Sequence, residues 1–214
     1  RVNRSFIVQR SASIREMLAS SKRLSAYMHH AITERQQPIW LAQREGRAKD
    51  SNDRTQSSIL KMMAMGGEGS AVERLRQLHI VPLAISYEYD PCDWLKAQEF
   101  QLKRDIEGWT KSKADDVLSM QTGIMGYKGR IHYHCAPCID EWLLSIADTP
   151  KGELFETVAQ HIDREIHANY TLYANNYIAL DMLNGNDGNA DKYTAEDMVR
   201  FEKYLEGQLA KIQI

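Results

Sequence analysis

Pro38 separates a helical pattern from a short apolar run, Ile39-Trp40-Leu41-Ala42, and this junction limits how the first part of the chain can fold. A proline cannot continue a helix, because its ring clashes with the preceding turn and it has no N–H to donate. A run of β-branched and aromatic residues after such a break predicts a buried strand. The run then gives way to Gln43-Arg44-Glu45-Gly46-Arg47-Ala48-Lys49-Asp50. Arg44, Arg47, Lys49 and Arg54 surround a single glycine, Gly46, just past the expected strand end. Strand ends are where α/β sheets bind ligands. Guanidinium forks match phosphate oxygens, Lys adds a point charge, and glycine lets a backbone approach closely. The same pattern also fits a solvated turn between a strand and a helix.

Around this junction the chain reads as strands separated by helices. Ser5 to Gln9 predicts a first strand ending at Arg10, followed by a helix capped by Ser11 or Ser13 and running to about Arg35. Its apolar positions are Ile14, Met17, Leu18, Leu24, Met28 and Ile32. Thr55 to Met65 predicts a second helix, and Gly66-Gly67-Glu68-Gly69 a flexible break. A short helix from Ala71 to Leu78 leads to a third strand, Ile80 to Tyr87, with Pro82 tolerable near its start. Helices are expected over Trp94 to Glu107 and Ser112 to Met120, then a loop over Gly123 to Gly129. A fourth strand follows over Arg130 to Cys135, and four helices over about 140–147, 151–168, 170–184 and 194–212. The expected class is α/β: a sheet flanked by helices in 1–139, with a helical C-terminal extension in 140–214.

Composition narrows the partners. The chain has 214 residues, is 43% hydrophobic and 26% charged, and carries a formal charge of -2, which excludes a general nucleic-acid binder. Cys92, Cys135 and Cys138 are odd in number and unevenly spaced, so they predict a reducing compartment rather than a disulfide framework. No apolar run approaches the roughly 20 residues of a membrane span. The first residue is Arg1, and a strand pattern begins almost at once, which reads as part of a longer parent.

Two constellations compete for chemistry. His132-x-His134-Cys135-x-x-Cys138 has zinc-type donors. In a strand, however, His132 and His134 share one face while Cys135 takes the other, and a second Cys/His pair is lacking. Strand packing is therefore the expectation, with no metal. The second constellation is spatial. If the first three strands are parallel neighbours, Arg10 and Arg47 converge on one anion.

Val2-Asn3-Arg4-Ser5-Phe6-Ile7-Val8-Gln9-Arg10 resembles the second conserved block of the glycerolipid acyltransferases, an aromatic-rich strand ending in arginine. Glu45-Gly46-Arg47 resembles the third block, a Glu-Gly-(Gly)-Arg loop that binds glycerol phosphate. Ile80-Val81-Pro82-Leu83-Ala84-Ile85-Ser86-Tyr87-Glu88 resembles the fourth, an apolar strand around proline ending in Tyr-Glu. Gly129 to Ile139 is similar to a later strand of that family. The resemblance covers about Val2 to Ile139, and the wording is similar to the form found in the Bacteroides group. The third block is one residue shorter than the Glu-Gly-Gly-Arg form, so Glu45 and Arg47 do not both align without a gap. The first block, a His followed after four residues by Asp, does not occur here and is expected upstream.

The resemblance implies acyl transfer from a thioester to a hydroxyl of glycerol 3-phosphate or 1-acylglycerol 3-phosphate (lysophosphatidate) in phospholipid synthesis. It implies no cofactor, with acyl-CoA or acyl carrier protein as co-substrate. Arg10, Arg47 and Lys49 would bind phosphate, Gly46 would give clearance, and Glu45 would orient a hydroxyl or an arginine. Phe6 and Pro82 would shape the site, and no catalytic residue is expected in this chain. The implied location is cytoplasmic or peripheral on the inner membrane, with a membrane surface but no nucleic acid as a partner. The alternatives are a non-catalytic phosphate-binding module and a metal-dependent hydrolase using His132 and His134.

Overall fold

The computed structural model describes residues 13–43 and 54–212. The predicted strand at Ser5 to Gln9 lies outside these residues. The described residues form a mixed α/β structure of α-helices with one two-stranded sheet. By compactness the chain divides into two units, Arg1–Ala84 with Cys135–Asn169 and Ile85–His134 with Tyr170–Ile214.

In the first unit, α1 spans Ile14–His29 and begins at Ser13. The Ser13 hydroxyl accepts from the Glu16 amide, and the Glu16 carboxylate accepts from the Ser13 amide. This reciprocal pair satisfies donors that a helix start leaves without partners. α1 then widens into a π-helical turn over His30–Glu34. α2 (Ser57–Met63) and α3 (Ala71–Arg76) follow, and Ser70 and Glu73 cap α3 in the same reciprocal way. α6 (Asp140–Ser145) packs on α3, and α7 (Leu154–Ala168) packs on α2. On α7 the apolar positions Leu154, Val158, Ala159, Ile162 and Ile166 recur every three or four residues, and all are buried. They meet a core that includes Leu60, Leu75, Ile139 and Leu143, each at most 2% exposed. Each large aliphatic side chain so buried contributes about 1.5–3 kcal/mol. Asp163 on α7 also accepts from the Thr55 amide and hydroxyl at 2.8 and 2.7 Å, tying the lead into α2 to α7.

The second unit contains α4 (Asp93–Asp105), α5 (Lys113–Met125), α8 (Ala174–Asn184) and α9 (Ala195–Leu209). Ser112 with Asp115 and Thr194 with Asp197 repeat the reciprocal cap. α9 packs on α4 and α8. The Tyr204 hydroxyl donates to Asp93 at 2.5 Å, and the Tyr204 ring lies 4.1 Å from that of Tyr89. The Asp181 carboxylate, 2% exposed, accepts from the Asn189 amide, the Asn189 side chain and the Tyr193 hydroxyl, which closes the loop after α8.

The sheet pairs β1 (Leu83–Tyr87) with β2 (Ile131–Cys135). These are the third and fourth strands expected from sequence. Their hydrogen bonds run antiparallel and extend beyond the strands. Glu88 and Tyr89 donate to the Arg130 and Lys128 carbonyls at 2.9 and 3.0 Å, and Ala136 and Ile139 donate to the Pro82 and Ile80 carbonyls at 2.9 and 3.0 Å. Among the described residues no helix is long and apolar enough to cross a membrane.

One expectation is corrected. Ile39 to Ala42 is not a strand: the run is irregular, and Trp40 is 77% exposed. A strand needs a neighbour for its backbone groups, and the local bond seen is Gln56 N to the Gln43 carbonyl at 3.4 Å. The apolar stripe of α1 is also only partly buried, with Ile14, Met17 and Leu18 exposed and Met28 buried. α2 has seven residues, roughly 10 Å of helix, and covers only part of the 16-residue α1.

The glycine break is built rather than merely flexible. Gly66 N donates to the Ser25 hydroxyl at 2.8 Å, and that hydroxyl donates to the Met63 carbonyl at 2.7 Å. Gly67 has φ +76°, and a Cβ there would lie 2.5 Å from Cε1 of the buried His29 ring. Gly67→Ala is therefore expected to lower stability by about 1–3 kcal/mol, from left-handed strain plus overpacking. Gly152→Ala, where an added Cβ meets nothing within 4 Å, should change it by less than about 0.5 kcal/mol. Urea unfolding of the two variants checks the contrast.

Candidate functional site

Of the residues expected to bind substrate, Phe6, Arg10, Glu45, Gly46, Arg47 and Lys49 lie outside the described residues. Pro82 is described. It is buried, and its carbonyl accepts from Ala136 N, so its missing N–H costs the ladder nothing at that position. The segment Ile80 to Glu88 around it has polar groups gathered in each unit.

In the second unit that group is Glu88. It is 9% exposed, and Arg130 donates to it from the backbone N at 2.8 Å, from Nε at 3.2 Å and from Nη2 at 3.1 Å. The Arg130 guanidinium also sits 4.8 Å from the centre of the Tyr173 ring. Asn175 donates to the Glu88 carbonyl, and the Ser86 hydroxyl accepts from Thr171 N at 3.1 Å. Gly129, at φ +62°, makes the close approach possible, because a Cβ there would lie 2.5 Å from Glu88 Oε2. Burial pushes the Glu88 carboxyl up, but the Arg130 hydrogen bonds and charge outweigh it and hold the group below the usual carboxylate range. Glu88 is thus a clamp between a strand end and Arg130.

In the first unit the group is His79, Cys138 and Asp140. His79 follows α3 at φ +48°, a left-handed conformation uncommon for a residue with a side chain. Its Nδ1 lies 2.5 Å from Asp140 Oδ2. The other carboxylate oxygen, Asp140 Oδ1, is buried and has no hydrogen-bond partner. One donor atom from each of His79, Cys138 and Asp140 lies within 4.8 Å of the other two. Partial burial raises the Cys138 thiol above its ordinary range; the Asp140 amide offsets this in part, and the Asp140 carboxylate raises it further. Both an imidazole, His79, and a carboxylate, Asp140, thus place a donor atom within 4.8 Å of one on Cys138.

The strand motif does not form a ligand set. His132 and His134 stack with ring centres 6.3 Å apart, and the described cluster within ligand reach takes Cys138 but neither of these histidines. His79 and Asp140 were missed in the sequence because they stand 61 positions apart and only the strand pairing joins them. The usable signal was Cys138-x-Asp140 at the exit of one strand, with a histidine immediately before the other. His29 is buried, with Nε2 3.1 Å from the Met63 carbonyl.

Comparison with family models, curated proteins and solved structures finds no match to this chain.

The Glu88 clamp makes stability depend on pH. A carboxyl held low in the folded state stabilises above its unfolded value, about 4.3, and that contribution disappears as pH falls through the folded value. Glu88→Gln should lower stability at neutral pH by about 1–3 kcal/mol, the cost of losing a charged, largely buried hydrogen-bond acceptor. It should also flatten the loss of stability between about pH 5 and pH 3. Denaturant midpoints across that range check both effects.

Proposed function

We propose that this chain is part of a glycerolipid acyltransferase. It would move a fatty acyl group from acyl-CoA or acyl carrier protein to a hydroxyl of glycerol 3-phosphate or lysophosphatidate. The observation that carries the reading is the order of three motifs, Val2 to Arg10, Glu45 to Arg47 and Ile80 to Glu88, at spacings similar to the family's. The mixed α/β class and the strand built on Ile80 to Glu88, with Pro82 buried, support it.

On this reading Arg10, Arg47 and Lys49 hold the acceptor's phosphate. Gly46 leaves room for it, and Glu45 orients the hydroxyl or an arginine. Phe6 and Pro82 line the acyl-donor side. Holding the hydroxyl against the thioester carbonyl supplies several kcal/mol of the barrier by orientation alone. The hydroxyl attacks that carbonyl, a general base takes its proton, and coenzyme A or the carrier thiol leaves. None of the seven histidines has an aspartate five positions on, so the reading assigns the base to residues outside these 214. A lipid product implies contact with the cytoplasmic face of a membrane.

The missing His-x4-Asp pair also favours a second reading, a phosphate-binding module without catalysis. Acyl transfer from acyl-CoA to labelled glycerol 3-phosphate separates the two. The 214-residue chain should be inactive, and a chain extended upstream through a His-x4-Asp pair should be active. In the extended chain Arg47→Ala should cost roughly 100-fold in kcat/KM, about 2.7 kcal/mol, expressed mainly as a higher KM for the acceptor. Equal activity of the two chains, or an Arg47→Ala variant with unchanged KM, would sink the assignment. Phosphate binding by an extended chain that shows no turnover would favour the module.

A further inference from the structure

We propose that His79, Cys138 and Asp140 form a binding site for one divalent transition-metal cation of the zinc class. The inference is independent of the acyl-transfer reading. An imidazole nitrogen, a sulfur and a carboxylate oxygen lie mutually within 4.8 Å. That donor set suits a borderline-soft cation and suits calcium or magnesium poorly, because those ions prefer oxygen alone. Bonds of about 2.0–2.3 Å in a tetrahedron place donors roughly 3.5 Å apart, so small side-chain rotations close the set around an ion.

The backbone holds these residues in place before any ion arrives. The Ile139 amide donates to the Ile80 carbonyl at 3.0 Å, which fixes the neighbours of His79 on one side and of Cys138 and Asp140 on the other. Ile139 itself is 2% exposed, which anchors the Cys138-x-Asp140 segment in the core. His79 takes a left-handed backbone, and its ring meets Asp140. A conformation of this kind persists where the surroundings require it.

Asp140 Oδ1 is buried without a hydrogen-bond partner, the condition in which a carboxylate oxygen most gains from a cation. His79 and Cys138 are exposed, so an ion can reach the site from solvent, and three protein ligands leave a fourth position for water.

Cobalt(II) titration of the purified 214-residue chain tests the site, with zinc competition and metal analysis after dialysis. The expected result is one cobalt per chain with a thiolate-to-cobalt charge-transfer band that zinc abolishes. Cys138→Ser should remove the band, and His79→Gln and Asp140→Asn should each weaken binding roughly tenfold or more. Cys135→Ser and His132→Gln should leave both band and affinity unchanged. Because His79 and Cys138 are exposed, their variants should keep the wild-type far-UV spectrum. Wild-type protein without stoichiometric binding would overturn the proposal, as would a band that survives Cys138→Ser. A band lost in Cys135→Ser would overturn it in favour of the strand motif.

Discussion

The antiparallel pairing of residues 80–89 with residues 128–139 is the constraint on which the described polar sites depend. Its bonds between Ile80 and Ile139, Pro82 and Ala136, Glu88 and Arg130, and Tyr89 and Lys128 set the register of both segments. A one-residue slip would turn every side chain to the opposite face. It would part Arg130 from Glu88 in the second unit and His79 from Asp140 in the first. A two-stranded ribbon is marginal by itself, so the register must be held by what each segment packs against. Ile139 in the first unit is buried, and so is Tyr89 in the second.

Among the described residues, three polar side chains each join separate parts of the fold. Ser25 links α1 to the turn after α2, Asp163 joins α7 to the lead into α2, and Asp181 closes the loop after α8. Each lies beside a helix end or a loop, where backbone groups lack partners within the helix. Such a residue satisfies one of those groups and fixes a direction of the chain. These are the places where a single polar-to-alanine change leaves a donor or acceptor unmatched.

The sequence was readable where a local signal sufficed. Ser13, Ser70, Ser112 and Thr194 each stand three residues before an acid, and each begins a helix in the structure. The strands at Ile80 to Tyr87 and Arg130 to Cys135 were readable from apolar content and alternation, with boundaries displaced by up to three residues. Ile39 to Ala42 looked the same locally, yet a strand exists only through its partner, and no local pattern encodes one. The same reason hid the His79 cluster, because its residues meet through long-range pairing. Pro82 was readable as a strand-start residue. Arg10 and Arg47, proposed to bind an anion, lie outside the described residues.

The four reciprocal caps share a chemical weakness. Glu16, Glu73, Asp115 and Asp197 are each held below the ordinary carboxylate range by hydrogen bonds from the serine or threonine they answer. Each accepts those bonds most strongly when ionised. Protonation of these carboxylates therefore weakens the first turns of α1, α3, α5 and α9. The first turns of those four helices are thus where a proton from solvent meets the hydrogen bonding of the backbone directly.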